Sequence, residues 1–362
     1  MYSILNYILA FFISFSTAVI STPFVKSLAI RYGFVDKPNH RKVHTSLMPR
    51  LGGLAIVLGT VAGLIYLTPE SRFFPAIFIG GLIIVMIGIL DDKFNLSPKV
   101  KFIGQLIAAC IVVFSGLKID FITFPFGEKI YIGAFGYILA IFWIVGITNA
   151  INLIDGLDGL AGGVSAIAMS SILMMAVLNN QFLVISLTVV LIASTLGFLI
   201  FNFHPAKIFM GDTGALFLGY SISVISILGL LKSVTLFSLI VPIIILGIPI
   251  FDTFFAIVRR VLNKQKISSP DKSHLHHCLL AMGFSHRTTV LIIYGIGIFF
   301  GVSAIIFSTS TLWGSLTIIG LLVILVQLTA EVIGLIGKRK PLINTVRKLL
   351  LNKYTLRSQR GK

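Results

Sequence analysis

Apolar runs of about 20 residues alternate with short polar stretches along nearly the whole chain, the pattern of helices that each cross a hydrocarbon layer. The runs fall near residues 3–22, 51–68, 73–90, 102–117, 131–148, 160–178, 182–201, 212–231, 234–258, 288–308 and 311–336. They predict an all-α polytopic membrane protein with about eleven transmembrane helices. One stretch departs from the pattern. Lys118 to Ile132 alternates loosely at a period of two and predicts a small hairpin. The first run, Ile4 to Ile20, has no basic segment before it and no clear small-residue cleavage site, so it reads as a retained helix. Beyond residue 336 the chain turns basic, with Leu342, Val346, Leu349 and Leu350 at helical spacing. The expected organisation is a transmembrane domain over 1–336 and a basic cytosolic tail over 337–362, lying as an interfacial helix on anionic lipid.

Composition agrees. Of 362 residues, 57% are hydrophobic and 11% charged, where a soluble domain carries about 25% charged residues. The net charge of +17 would raise nucleic acid as a partner for a soluble protein. Here the charge is confined to loops between apolar spans and no nucleic-acid motif accompanies it. It reads as topology charge and affinity for anionic lipid, with no nucleic-acid partner. Loops on one side of the predicted spans hold 25 Lys and Arg, those on the other only 4. That asymmetry places the N-terminus outside and the C-terminus in the cytosol, across the plasma (inner) membrane. Cys110 and Cys278 form neither a disulfide framework nor a zinc spacing.

The chain has only 12 Asp and Glu. Five of them sit in three short motifs: Leu90-Asp91-Asp92, Asn152-Leu153-Ile154-Asp155-Gly156-Leu157-Asp158-Gly159, and Met210-Gly211-Asp212-Thr213-Gly214. All three lie at span ends on the predicted cytosolic face, which implies an active-site cleft there. Ionisable groups at such positions need water, a metal or a charged ligand. Converging Asp residues in a basic protein point to a divalent cation and a phosphorylated substrate. Asp91 and Asp92 close a span whose C-terminal dipole disfavours anions, so a cation or proton is expected beside them. Lys93, Lys99 and Lys101 follow directly. Asn152, Asp155 and Asp158 recur every three residues and would align on one helix face. Capping accounts for one such Asp, not for the set.

Asp212 reads either as a cap or as a ligand in the company of Asn202, His204, Lys207 and Phe209. Phe209 suits either a nucleobase or the lipid interface. His274-Leu275-His276-His277 offers three imidazoles to a metal or a phosphate, without the Cys or Glu partners of a zinc site. Asp252 and Glu331 lie inside spans with no cluster around them in sequence and read as structural.

Taken together and in this order, the motifs resemble the polyprenyl-phosphate N-acetylhexosamine-1-phosphate transferase family (glycosyltransferase family 4), from about Arg31 to Arg287. The resemblance implies a membrane enzyme that moves a sugar-1-phosphate from a UDP-N-acetylhexosamine to a polyprenyl phosphate, releasing UMP. It implies Mg2+, with Mn2+ as an alternative. It makes Asp212 a metal ligand together with Asp155, and Asp91, Asp92, Lys101, Asp155 and Asp158 catalytic. Asn152, Asn202, Phe209, His274, His276 and His277 would bind the nucleotide sugar, with His44 and Arg50 from the early basic loop. A homodimer is a further implication.

The His-Xaa-His-His loop and the segment Asp36-Lys37-Pro38-Asn39-His40-Arg41-Lys42-Val43-His44 resemble the branch using UDP-GlcNAc and undecaprenyl phosphate, which initiates a cell-envelope polysaccharide. The muramoyl-pentapeptide branch, which carries three consecutive His, is the alternative. Ala215 stands where the family usually has Ser. An ion-coupled transporter is the rival from another class; it calls for polar groups at the bilayer midplane and related halves, and the sequence offers neither.

Overall fold

A computed structural model describes residues 2–36, 48–123, 129–230, 239–265 and 273–334. His44 and the tail over 337–362 lie outside the described residues. Among those described there are thirteen helices and two short antiparallel hairpins. The long helices are α1 (Ile4–Tyr32), α2 (Gly53–Leu67), α3 (Phe74–Phe94), α4 (Pro98–Phe114), α5 (Phe135–Ile154), α6 (Leu160–Leu178), α7 (Phe182–Asn202) and α8 (Gly211–Leu230). They are followed by α9 (Ile240–Ile245), α10 (Gly247–Leu262), α11 (Leu275–Ala281), α12 (His286–Thr309) and α13 (Leu312–Ile333). The chain is a mostly helical, polytopic membrane protein.

Eight of these helices are long and apolar enough to cross a bilayer. The predicted runs at 51–68 and 102–117 correspond to α2 and α4, which at 15 and 17 residues fall short of the length of those eight. The predicted span over 234–258 is not one rod. It divides at Leu246 into the short α9 and the longer α10. Pro249 explains the break: its ring clashes with the carbonyl four residues back and it donates no amide hydrogen. A strand pair that was not anticipated joins β1 (Val35–Asp36) to β2 (Met48–Pro49). The hairpin expected over Lys118–Ile132 is present as β3 (Phe121–Thr123) paired with β4 (Lys129–Tyr131).

Small residues set the architecture. Helix α8 is buried along nearly its whole length, packed against α2, α3 and α5. A Cβ on Gly53 would fall 2.0 Å from the Gly214 amide nitrogen, and one on Gly88 would fall 2.4 Å from Thr213 Cα. Backbones therefore meet where α2, α3 and α8 end, as small residues permit between membrane helices. Buried hydroxyls are satisfied locally or across helices, as in Thr60–Ser194 at 2.8 Å and Trp143 Nε1 donating to Ser226 Oγ at 2.9 Å.

The ends of α1 to α8 sort into two groups by their contacts. Contacts join the C-terminal ends of α1, α3, α5 and α7 to the N-terminal ends of α2, α4, α6, α8 and α12. Examples are Arg50 N to Phe34 O at 2.9 Å, Gly52 N to Phe209 O at 3.0 Å and Arg287 Nε to His204 O at 3.3 Å. At the other end Tyr2 hydrogen-bonds Leu67 O, and Gln181 Nε2 reaches Gly229 O at 2.8 Å. All three carboxylate motifs lie in the first group.

Candidate active site

Three helix ends bring two carboxylates around one ammonium. Lys101, in the first turn of α4, places Nζ 2.6 Å from Asp212 Oδ2 and 3.2 Å from Asp91 Oδ2. Asp212 is in the first turn of α8 and Asp91 in the last turn of α3. Asn152, at the end of α5, lies beside the Asp212 side chain. Asp91 Oδ1 is buried and has no hydrogen-bond partner among the described residues.

Asp92 does something different. Its side chain has no exposed surface. Oδ1 accepts the Asp212 amide at 2.8 Å, and Oδ2 accepts the Thr213 amide at 3.1 Å and the Thr213 hydroxyl at 2.6 Å. Asp92 thus caps α8 from a residue far away in sequence, serving the orphan amides that a helix start leaves unpaired. Arg50 stands 3.8 Å from Asp92 Oδ1 and 3.8 Å from Asp36. Gly211 makes the contact feasible: it adopts φ +72°, and a Cβ there would lie 2.6 Å from both Asp92 oxygens.

Asp155, Asp158 and Asn152 do not share a helix face. Helix α5 stops at Ile154, Asp155 is its C-cap, and Asp158 lies in the loop before α6. The glycines at 156 and 159 favour the turn, Gly159 with φ +76°. Burial, then the charges of Asp212 and Asp92, push the Asp155 carboxyl up to about 8. Asp158 turns away toward His204, whose Nδ1 is 2.8 Å from its Oδ2, and also accepts the Ala206 amide at 3.1 Å. The His204 ring stacks on His286 at 4.2 Å with 18° between planes. Stacked rings direct their nitrogen lone pairs side by side rather than at one point, so this trio, although close enough to suggest a metal, reads as a latch between loops and α12.

Asn202 belongs to the same framework. It is buried, accepts the Gly159 amide at 3.1 Å and donates to Ile208 O at 2.9 Å. Tyr294 closes the arrangement by donating to Gly159 O at 2.6 Å. Phe209 is tied by its backbone to Pro49 and Gly52. The three His of the His274–His277 loop gather with ring centroids 4.1 to 6.5 Å apart. His276 presses its ring on the backbone of Gly156, beside Asp155. Burial, then His277, push the His276 imidazole down to about 3, so it is neutral near pH 7. It offers hydrogen bonding rather than the positive potential a cluster of His suggests.

The structure therefore joins Asp91, Asp92, Lys101, Asn152, Asp155, Asp212 and Arg50 in one place, with the His loop beside Asp155. It uses Asp158 and Asn202 to hold the loops. Sequence reasoning missed Thr213, His286, Tyr294 and Asp252; the last holds His274. Of these, only Thr213 fell within a motif already quoted. The others are separated from their partners by more than 20 residues and carry no local signal.

A polytopic helical bundle with a carboxylate and lysine cluster at one end defines a helical membrane protein with a charged candidate site. The sequence pattern of glycosyl transferase family 4 matches residues 74–230. A Bacillus subtilis protein named probable undecaprenyl-phosphate N-acetylglucosaminyl 1-phosphate transferase is 56% identical over 347 residues, covering 95% of this chain and 97% of the relative. A Mycobacterium tuberculosis decaprenyl-phosphate N-acetylglucosaminephosphotransferase is 37% identical, covering 81% and 82%. An Escherichia coli K12 undecaprenyl-phosphate alpha-N-acetylglucosaminyl 1-phosphate transferase is 30% identical, covering 75% of each. The chain belongs to glycosyl transferase family 4.

Proposed function

We propose that this protein transfers N-acetylglucosamine-1-phosphate from UDP-GlcNAc to a polyprenyl phosphate of the undecaprenyl class, giving polyprenyl-diphospho-GlcNAc and UMP. The observation that carries the reading is the Asp91–Lys101–Asp212 cluster, with Asp155 and the His loop beside it, at the helix ends shared by every motif. The names of the relatives favour GlcNAc as the sugar over a muramyl peptide. Clustering at one end of the bundle, rather than at its middle, favours an enzyme over an ion-coupled transporter. The 25-to-4 asymmetry of Lys and Arg supports eleven crossings with this end in the cytosol, and the basic tail suits anionic lipid.

The residues fit a divalent cation. Among the described residues, the carboxylates of Asp91, Asp92, Asp155 and Asp212 face two cationic side chains, Lys101 and Arg50. Among the described residues, the buried Asp91 Oδ1 has no hydrogen-bond partner. Asp212 and Asp155 would hold Mg2+, or Mn2+ in its place. When bound, the ion supplies neutralisation of the diphosphate charge. Lys101 spaces Asp91 from Asp212 and brings positive charge to an entering phosphate. Arg50 adds a second cation at the Asp92 side. Neutral His276 offers hydrogen bonds near the Asp155 loop. A lipid phosphate oxygen attacks the phosphorus that bears the sugar, the bond from that phosphorus to the UMP oxygen breaks, and UMP leaves. A lipid phosphate is already largely ionised near neutral pH, so one displacement needs no strong base. Holding both anions in one cleft supplies proximity.

The test is UMP release by purified protein in lipid with UDP-GlcNAc, undecaprenyl phosphate and Mg2+. Release that requires both lipid and metal is expected. Release with a UDP-muramyl peptide but not with UDP-GlcNAc moves the protein to the other branch. Silence with both, from folded protein, returns the transporter reading.

The raised Asp155 value gives a second prediction. A folded-state value of about 8 lies above the ordinary value, about 3.9. The folded protein keeps that proton where the unfolded chain has lost it. The stabilisation is therefore complete at low pH and disappears as pH climbs through about 8. His276 acts oppositely, but only below its ordinary value of about 6.5. Metal-free protein should lose Tm between about pH 7 and pH 8.5. Because Mg2+ competes with the Asp155 proton, its stabilising shift should be larger at about pH 8.5. A Mg2+ shift in Tm that is equal at both pH values would remove Asp155 from the ligand set.

A further inference from the structure

Asp252 lies in α10, three residues after the proline that breaks the ninth span, and faces the His loop. Its Oδ2 is 2.8 Å from His274 Nδ1, and its Oδ1 accepts the Leu275 amide at 2.8 Å. The pair is enclosed, with the side chain of His274 7% exposed and that of Asp252 3%. A carboxylate can only accept, so Nδ1 of His274 carries the hydrogen. The other nitrogen, Nε2, is on the ring edge turned away from Asp252. The His276 ring lies parallel to that of His274, 3° between planes and 6.0 Å between centroids, and rests on Gly156 next to Asp155. A line of contacts thus runs from Asp252 through His274 and His276 to the loop that carries Asp155.

We propose that Asp252 is a positioning residue: it fixes the tautomer and orientation of His274, and through it the His loop, against the nucleotide-sugar end of the site. The proposal rests on the transferase reading for the identity of the ligand, and on geometry alone for the pairing. Its physical content is the difference between carboxylate and amide. In Asp252→Asn the Oδ1 oxygen still accepts the Leu275 amide. The side-chain NH2 then faces His274 Nδ1 as a donor, and the imidazole must move its proton to Nε2. The backbone contact survives while the tautomer changes. A merely structural Asp would tolerate this substitution; a positioning Asp would not. Partners one step removed from a reacting group act in this way on the residues they orient.

The experiment uses the full chain in lipid nanodiscs. Asp252→Asn, His274→Ala and the double variant are assayed for UMP release from UDP-GlcNAc and undecaprenyl phosphate. Imidazole nitrogen shifts are read on protein labelled with 15N-histidine, with His274 assigned by its absence from His274→Ala. Expected are a fall in kcat of about 10- to 100-fold for Asp252→Asn, an unchanged Tm, and transfer of the His274 proton from Nδ1 to Nε2. The double variant should be no more than about twofold slower than His274→Ala alone, because Asp252 acts through His274. Wild-type kcat in Asp252→Asn, or multiplicative losses in the double variant, would overturn the proposal. Should Asp252→Asn fail to fold, the wild-type spectrum decides: a His274 protonated only at Nε2 overturns the pairing, and one protonated at Nδ1 supports it. If the wild-type protein releases no UMP, the substrate reading fails, and the nitrogen shifts still decide whether Asp252 sets the tautomer.

Discussion

Asp212→Ala should lower UMP release by about 1,000-fold or more while the protein stays folded. A bound cation is worth several kcal/mol of transition-state stabilisation, and each 1.36 kcal/mol is a factor of about ten in rate. The substitution removes the carboxylate that Lys101 approaches most closely, at 2.6 Å. Lys101 keeps Asp91 at 3.2 Å, and the start of α8 keeps its cap, because Asp92 binds the amide of residue 212 rather than its side chain. Removing one charge also relieves the crowding that raises Asp155. Tm in metal-free buffer should therefore hold or rise, as happens when a strained functional site is dismantled. Mg2+ should no longer raise it. A variant that retains a tenth of the activity, or still gains stability from Mg2+, would show that the metal is held elsewhere.

Asp92→Asn should do the opposite to stability. The buried Asp92 carboxylate accepts three hydrogen bonds from the α8 start. An amide offers one acceptor oxygen and turns an NH2 toward N–H groups that need an acceptor. Each buried donor left unpaired costs about 1–3 kcal/mol. Tm should fall, and kcat should fall about 10- to 100-fold because Asp212 is no longer held in place. Raising Mg2+ should recover part of that loss, since the ligand is displaced rather than removed. If activity instead vanishes at every Mg2+ concentration with Tm intact, Asp92 takes part in the chemistry, as its motif resemblance implies, and the cap is incidental.

The two variants differ because neighbouring residues of one motif point into different surroundings. Asp91 and Asp92 are adjacent in sequence, yet one faces Lys101 and the other the backbone of α8. A helix turns about 100° per residue, so adjacent side chains cannot serve the same partner in the same way. Nothing in the string Leu-Asp-Asp assigns the roles. The same holds for Asn-Xaa-Xaa-Asp-Xaa-Xaa-Asp: its spacing suggests a shared face, but the helix ends at Ile154 and the second Asp goes to His204.

By itself the sequence determined most of the elements and their order. Hydropathy, helix hydrogen bonding and turn residues act over a few positions, so the apolar runs, the hairpin near Phe121–Tyr131 and the motifs at the span ends were all legible. Even the divided ninth span had a local sign in Pro249. The tertiary structure alone decided which groups share a space. Lys101 finds Asp212 across 111 positions, Asp92 finds Thr213 across 121, and Asp252 finds His274 across 22. Those meetings depend on how closely α2, α3 and α8 pack at Gly53, Gly88 and Gly214. Close packing is a property of facing surfaces, and no periodicity within one segment encodes which surface it will face.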